Sequence, residues 1–359
     1  MKNLNNLKYA PDYAVNPGKT LQETIDALGI DQKELAERTG LTTKTLNLII
    51  KGKAALTQQT AMLLERVTNV PARIWNNLEA NYREQLARLE ARDQMEKHIA
   101  WLREVPTKEL ISRGFVKTTS DKIQLLEQTL SFFRVASVDA WHEGWGKGQF
   151  AFRKSWQASS IDGKLATWLQ IAELNAEQAS VIKFSKAKFT SAVDAIRSMT
   201  NETPSVFVPA MTEACRNAGV ALCLVPEIPG GKISGAAKWL TASKAMLAIN
   251  LRGKKNDLFW FTFFHEAGHI LNDSKMETFV DIGYSHDPRE HSANAFARQT
   301  LIPSKYDDLL ITLRTERQVR DFASEIGIAP GIVVKRLQHE KIIGYGQLNA
   351  LKQTFAWTE

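Results

Sequence analysis

In "GIDQKELAERTGLTTKTLNLIIKGKAALT", residues 29–57, Leu35, Ala36, Leu41, Leu46 and Ile49 recur at a spacing that builds one apolar seam from two short helices. Asp31, followed three residues on by Glu34, is a capping-box pattern that opens the first helix, which runs to about Thr39. Gly40 can take the left-handed conformation that ends it, and Thr42 or Thr43 can cap a second helix through about Ile50. The pattern is a helix-turn-helix. Further along, "NYREQLARLEARDQMEKHIAWLREV" carries Leu86, Leu89, Met95, Ile99 and Leu102 at helical spacing among charges of both signs, which predicts a long, partly exposed connecting helix. From about residue 204 the pattern changes. "GVALCLVPEI" and "AMLAINL" (245–251) read as buried strands, and "GKISGAAKW" between them as an edge strand or turn. "DLFWFTFFHEAGHILN" is apolar enough for a buried helix, and "DPREHSANAFARQTLIP" predicts another, with Asp287 as cap and Pro288 at its first position. The chain is therefore expected to be mainly helical, with one small α+β domain holding a short mixed sheet.

Length supports that division. At 359 residues the chain exceeds one small core, and the expected domains are 1–82, a mostly helical linker domain 83–195, and 196–359. Hydrophobic residues at 44% and charged residues at 24% describe an ordinary globular protein. The net charge of +7 favours a polyanionic partner, but charge spread evenly attracts nothing in particular, so its location must decide. Cys215 and Cys223 form no CxxC pair, so a reduced, cytoplasmic setting is expected, with both thiols as small core residues. No apolar run has signal-peptide or membrane-spanning length.

The second helix of the pair would expose Thr43, Lys44 and Asn47 near its N-terminal half, where a recognition helix meets base edges. Lys51 and Lys53 follow where phosphates would run, and Gln32 and Thr42, at the two helix openings, complete the candidate DNA surface. The competing reading is a small bundle with a solvated charged face. The stretch from "NPGKTLQETIDALGI" through "KGKAALTQQTAMLLERVTNVPARIWNNLEANY" resembles the HigA-type antitoxins of the Xre helix-turn-helix family, in its Pro17-Gly18 opening, its Gly52-Lys53 pair and its "IWNNLEANY" exit. That resemblance implies a five-helix, lambda-repressor-like domain, a homodimer, palindromic double-stranded operator DNA and autoregulation. Ala54, Ala55 and Leu56 depart from the family, standing where a basic or polar residue is common, which weakens phosphate contact there.

"FFHEAGHILN" poses the chemical question. Positions 265 and 269 lie about 40 degrees apart on a helix, one turn up the same face, so two imidazoles can converge on one ion. His-x-x-x-His is the arrangement zinc proteases use, with Glu266 beside it placed to hold the attacking water. A catalytic zinc needs three protein ligands plus water. Glu277, Asp281, His286, Asp287, Glu290 and His291 lie downstream, and Glu290 is selected because it sits one turn into the second helix, with Ala293, Asn294 and Ala297 small enough to let the two helices press together.

Residues 219–303, through "FFHEAGHIL", "KMETFVD" and "EHSANAFARQTLIP", resemble the ImmA/IrrE metallopeptidases, and "FASEIGIAPGIVVKRLQHE" resembles the tail that follows in chains with the same front end. The resemblance implies a zincin-like domain with one Zn2+ on His265, His269 and Glu290, Glu266 as catalytic base, and a protein substrate such as a repressor, toxin or regulator. Tyr284 and His286 are candidates for oxyanion or substrate contacts, and "AMLAINL" or "ISGAA" for the edge strand along which substrate would lie. The alternative is a non-enzymatic antitoxin and autorepressor that binds a toxin, its zinc domain structural or sensory. In "WHEGWGKGQFAFRKSW", Trp141, Trp145, Phe150, Phe152 and Trp156 interleave with Lys147, Arg153 and Lys154; such a patch can stack on nucleic acid, but aromatics pinning a loop to a helical core are the expected reading.

Overall fold

A computed structural model describes residues 13–146, 162–273, 278–281 and 288–357. The chain divides into two compact units, residues 1–99 and 100–359, so the helices that the sequence sets apart as 83–195 fall into both.

Among the described residues the first unit holds five α-helices: α1 (Pro17–Leu28), α2 (Gln32–Thr39), α3 (Thr43–Ile50), α4 (Gln58–Thr68) and α5 (Ala72–Glu96). The seam closes as the spacing predicts, with Leu21, Ile25, Leu35, Leu46, Ile49, Leu64 and Trp75 in one core. Asp31 accepts from Glu34 N at 2.7 Å, but the reciprocal half of a capping box is missing because the Glu34 carboxylate turns to Arg38. Thr42, not Thr43, caps α3, accepting from Thr45 N at 3.1 Å, and Gly40 between the helices has φ of 72°. Asn16 fastens α1 to the end of α3: its Oδ1 accepts from Gly18 N at 2.9 Å and its Nδ2 donates to the Ile50 carbonyl at 2.8 Å. A Cβ on Gly18 would run into the Ile49 carbonyl and the Ile50 backbone, which is the physical reason for glycine after Pro17.

The second unit starts with α6 (Thr107–Ser112), α7 (Lys122–Phe133), α8 (Val138–Trp141), α9 (Gly163–Gln178), α10 (Lys186–Arg197) and α11 (Pro204–Arg216). Trp141 and Trp145 are buried edge-on against Trp101 and Phe133, with ring centroids 5.3 Å (Trp101 to Trp141) and 5.7 Å (Phe133 to Trp145) apart, so this part of the aromatic patch is core. Lys147, Phe150, Phe152, Arg153, Lys154 and Trp156 lie outside the described residues. Both cysteines are buried, and burial pushes each thiol up to about 12.

Among the described residues four strands follow: β1 (Val220–Leu224), β2 (Gly235–Thr241), β3 (Lys244–Ile249) and β4 (Thr278–Asp281), in the mixed order β1-β3-β2-β4. β3 runs parallel to β1 and antiparallel to β2, and β4 pairs with β2 from Gly235↔Asp281 to Lys238↔Thr278. This corrects the expected substrate edge. "AMLAINL" is the interior strand β3, and "ISGAA" enters β2, whose free side β4 covers, so among the described residues the edge beyond β2 is β4. Side chains alternate across β2. Lys238 meets Glu173 of α9 on one face at 2.5 Å, while Gly235, three positions away, faces α12 (Asn256–Asn272) on the other. With α9 seated on the sheet, and Trp168 Nε1 donating to the Val225 carbonyl at 3.2 Å, α9 is part of the core of this unit.

The remaining helices are α13 (Pro288–Leu301), α14 (Asp307–Leu310), α15 (Glu316–Ile326) and α16 (Pro330–His339). α15 and α16 look like a second helix-turn-helix, joined through Gly327 at φ of 71°. Gly331, Ile332, Val333, Val334, Leu337 and Gln338 are buried, however, so α16 serves packing. Among the described residues no helix is long and apolar enough to cross a membrane.

Candidate metal centre and nucleic-acid interface

α12 is buried along nearly its whole length, from Asn256 to Leu271, because one side faces the sheet and the other faces α13 and α16. α13 crosses it closely. A Cβ on Gly268 would sit 3.1 Å from Phe296 Cδ1 and 3.3 Å from the Ala293 Cα, so the glycine between the two histidines exists to admit the second helix. Arg197 of α10 holds that helix in place, donating to the carbonyls of Thr300 (2.7 Å) and Leu301 (3.0 Å) at its C-terminal end and to that of Ile326 (3.0 Å).

The crossing brings three groups to one point. His265 Nε2 and His269 Nε2 are 3.1 Å apart, and the Glu290 carboxylate lies 3.1 Å from the first and 3.5 Å from the second. These ligand atoms all fall within 4.8 Å of one another. The other ring nitrogens decide what faces inward. His269 Nδ1 meets Asp273 Oδ2 at 2.6 Å, and His265 Nδ1 meets Asn294 Oδ1 at 3.1 Å. Both partners are acceptors, so an imidazole that donates from Nδ1 to them has Nε2 left to face Glu290, as a proton donor to the carboxylate or, once deprotonated, as a ligand to an ion. Three such groups converging on one point can hold a cation between them. Two imidazoles and one carboxylate are the protein donor set of a catalytic zinc, and hydrogen-bonded outer partners of this kind are what orient such ligands. The residues therefore fit the metal that the motif implies.

The electrostatics agree. Burial works against the ionised carboxyl of Glu290, yet the hydrogen bonds from His265 and His269 outweigh it and hold the group down at about 2. Burial likewise opposes the charged form of His269, and Asp273 with Glu290 overcomes it and raises its pKa. The cluster attracts positive charge in a dry setting.

Glu266 is fully buried beside this cluster. A Cβ on Gly235 of β2 would stand 2.7 Å from Glu266 Oε1 and 2.6 Å from Thr262 Cγ2, so that glycine leaves the space the carboxylate occupies. Asp273, Asn294 and Gly235 are positioning residues that the sequence reading did not assign. A signal existed for Asp273, which stands four positions after His269 on the same helical face, whereas nothing local ties Gly235 to a helix that begins some twenty residues later. Asp281 ends β4, and His291 is exposed next to Glu290. Glu277, Tyr284, His286 and Asp287 lie outside the described residues.

On the first unit, Thr43, Lys44, Lys51 and Lys53 are exposed on or just after α3, and Asn47 is half-buried on its outer side. Thr42 is also exposed, with its hydroxyl engaged in the α3 cap. Gln32, at the first position of α2, donates from Nε2 to Gln22 Oε1 at 2.9 Å. Glycine at 52, with φ of 69°, leaves room for the Tyr82 hydroxyl and Asn16, so the loop bearing Lys51 and Lys53 is braced by the "IWNNLEANY" segment.

The comparisons with known proteins fall on this unit. The helix-turn-helix family model matches residues 21–75, from α1 into the start of α5. Over 63 residues, 18% of this chain and 67% of the relative, the sequence is 33% identical to YddM of Escherichia coli K12, described as an uncharacterized HTH-type transcriptional regulator. A solved structure from Nostoc punctiforme, described as an antidote protein of a plasmid maintenance system, is 23% identical, with 24% of this chain and 94% of that one covered and a TM-score of 0.23. Together with the α2–α3 geometry, the family match and the relative show that this chain belongs to the helix-turn-helix family of DNA-binding regulators, through an Xre-like domain at its N-terminus.

Proposed function

We propose that the chain is a DNA-binding regulator whose second unit is a zinc-dependent endopeptidase acting on a protein partner. The observation that carries the reading is the convergence of His265 Nε2, His269 Nε2 and the Glu290 carboxylate beside the buried Glu266 carboxylate. A zinc ion bound there would polarise the scissile carbonyl and make water easier to deprotonate. Glu266 takes the proton from the attacking water and returns it to the departing amine. Asp273 and Asn294 fix the imidazoles, and Gly235 keeps the base aligned. An extended substrate segment would pair with the edge of β4, gaining main-chain hydrogen bonds at the rim of the site.

The first unit would deliver this activity to an operator as a homodimer, with Lys44 and Asn47 at base edges and Lys51 and Lys53 at phosphates. Replacing Lys44 and Asn47 should reduce discrimination between operator and random DNA, while replacing Lys51 or Lys53 weakens both alike and lowers the salt slope by about 1 per lost phosphate contact.

The test of the peptidase compares protein fragments, by N-terminal proteomics, in cells expressing the wild-type chain or Glu266→Gln. A cleaved target present only with the wild type is expected. Identical fragment sets would leave the non-enzymatic reading, an autorepressor and antitoxin with a sensory zinc domain.

A further inference from the structure

Beside the metal centre lies a cavity of about 570 Å3 that gathers basic side chains among apolar ones such as Leu301, Ile302 and Ile332. Its near wall is made by residues already tied to the site: Asn294, which orients His265, Thr262, which touches the space at Gly235, and Ser234 just before that glycine. Its far wall carries Arg298 from α13 and Lys335, Arg336 and His339 from α16. The Lys335 ammonium lies 4.4 Å from the centroid of the Phe261 ring, which in turn is 6.3 Å from the ring of His265, so the basic wall begins one side chain away from the ligands.

The acid in this lining is already committed. Asp257 is bonded to Lys352 at 2.8 Å. Arg336 is neutralised by Asp307 at 3.2 Å and by Glu340, but Arg298 makes no ion pair among the described residues. His339 registers the surplus: burial lowers its pKa first, and Arg298, Arg336 and Lys335 add to that, with Glu340 alone opposing. A pocket with this surplus attracts an anion, and because its lining residues Asn294 and Phe261 lie against His265, a substrate held at the metal centre would bring that anion with it.

We propose that the cavity is a specificity subsite for an acidic side chain of the protein substrate. Arg298 lies two helical turns beyond Glu290, about 12 Å at 1.5 Å per residue, and an extended chain advances roughly 3.3 Å per residue. The acidic residue therefore sits within about four positions of the bond that is cut. The proposal rests on the peptidase reading above and names the substrate class that the reading leaves open.

The experiment uses the full-length, zinc-loaded Glu266→Gln chain, which should hold substrate without cutting it. The probes are fluorescein-labelled nine-residue peptides in which one Asp is moved through the sequence, each with an Asn counterpart, read by fluorescence polarisation. At one placement, Asp should bind about tenfold tighter than Asn, with an advantage that shrinks as salt rises. The advantage should vanish in Arg298→Ala/Lys335→Ala and return in Arg298→Lys/Lys335→Arg, with melting curves confirming that each variant is folded. Equal binding of Asp and Asn peptides at every placement overturns the proposal, as does an advantage that survives the double alanine variant. A citrate arm separates the sources: binding of citrate that depends on Arg298 and Lys335, with no Asp preference in any peptide, assigns the cavity to a free anion and overturns the substrate claim. If wild-type chain cleaves a target in cells while the peptides show no Asp preference, the subsite alone falls. If Asp selectivity is found and no target is cleaved, the peptidase alone falls.

Discussion

Gly268→Ala probes how tightly α12 and α13 are held together. In an unconstrained helix interior this change stabilises by about 1 kcal/mol, because alanine loses less backbone entropy than glycine. Here the added Cβ would meet Phe296 Cδ1 at 3.1 Å and the Ala293 Cα at 3.3 Å, inside the roughly 3.5–4.0 Å at which carbon atoms are comfortable. α13 must therefore withdraw by about 0.3–0.5 Å, and overpacking of this kind costs about 1–3 kcal/mol. The two terms leave a net loss of about 1 kcal/mol, or roughly 2–4 °C in Tm for a unit of this size. The withdrawal also carries Glu290 away from the imidazoles by more than the ~0.2 Å that ligand distances tolerate. Zinc affinity should fall about tenfold, ~1.4 kcal/mol, measured by competition with a chromophoric chelator alongside melting curves with and without zinc. A variant that melts higher than wild type and binds zinc equally well would refute the claim that the helix crossing assembles the site.

Asp273→Ala removes the 2.6 Å partner of His269 Nδ1 and should weaken zinc binding 10–100-fold in the same competition assay, with little change in fold by circular dichroism. Lys238→Met strands Glu173. Burial raises the Glu173 carboxyl above its ordinary value, with Lys238 limiting the rise, so stability tied to this group is full below about 4.5 and declines as pH climbs through the raised folded value. Without Lys238 the rise is larger, and the variant should lose about 2 kcal/mol at pH 7 and much less at pH 4, read from urea titrations at both. Gly18→Ala drives a methyl into the Ile49–Ile50 backbone and should unfold the first unit, abolishing DNA binding in a gel-shift assay while zinc content stays at the wild-type level.

What was legible in the sequence was what neighbouring residues decide. Helical spacing alone aligns His265 with His269 and seals Leu35, Leu46 and Ile49 into one seam, so the pair and the α2–α3 core follow from local periodicity. Glu290 was within reach because small residues follow it at one-turn intervals and signal a close helix crossing. Strand order was not legible. β3 pairs with β1 and β2, and β4 closes over β2 from some forty residues away, and no property of "AMLAINL" as an isolated run separates an interior strand from an edge. The helices before residue 195 are similarly ambiguous, since a charged, amphipathic pattern serves a linker and a sheet-covering layer equally well until Glu173 is seen against Lys238. The glycine at 235 looked like a turn and proves to be room for a carboxylate.

Zinc stoichiometry across four proteins tests the metal centre most directly. Elemental analysis of purified wild-type, Glu266→Gln, His265→Ala and Glu290→Gln chains, after dialysis against a weak chelator, should give about one zinc per chain for the first two and almost none for the others. Equal zinc in all four, or loss in Glu266→Gln alone, would contradict the assignment of His265, His269 and Glu290 as the ligands and Glu266 as the base beside them.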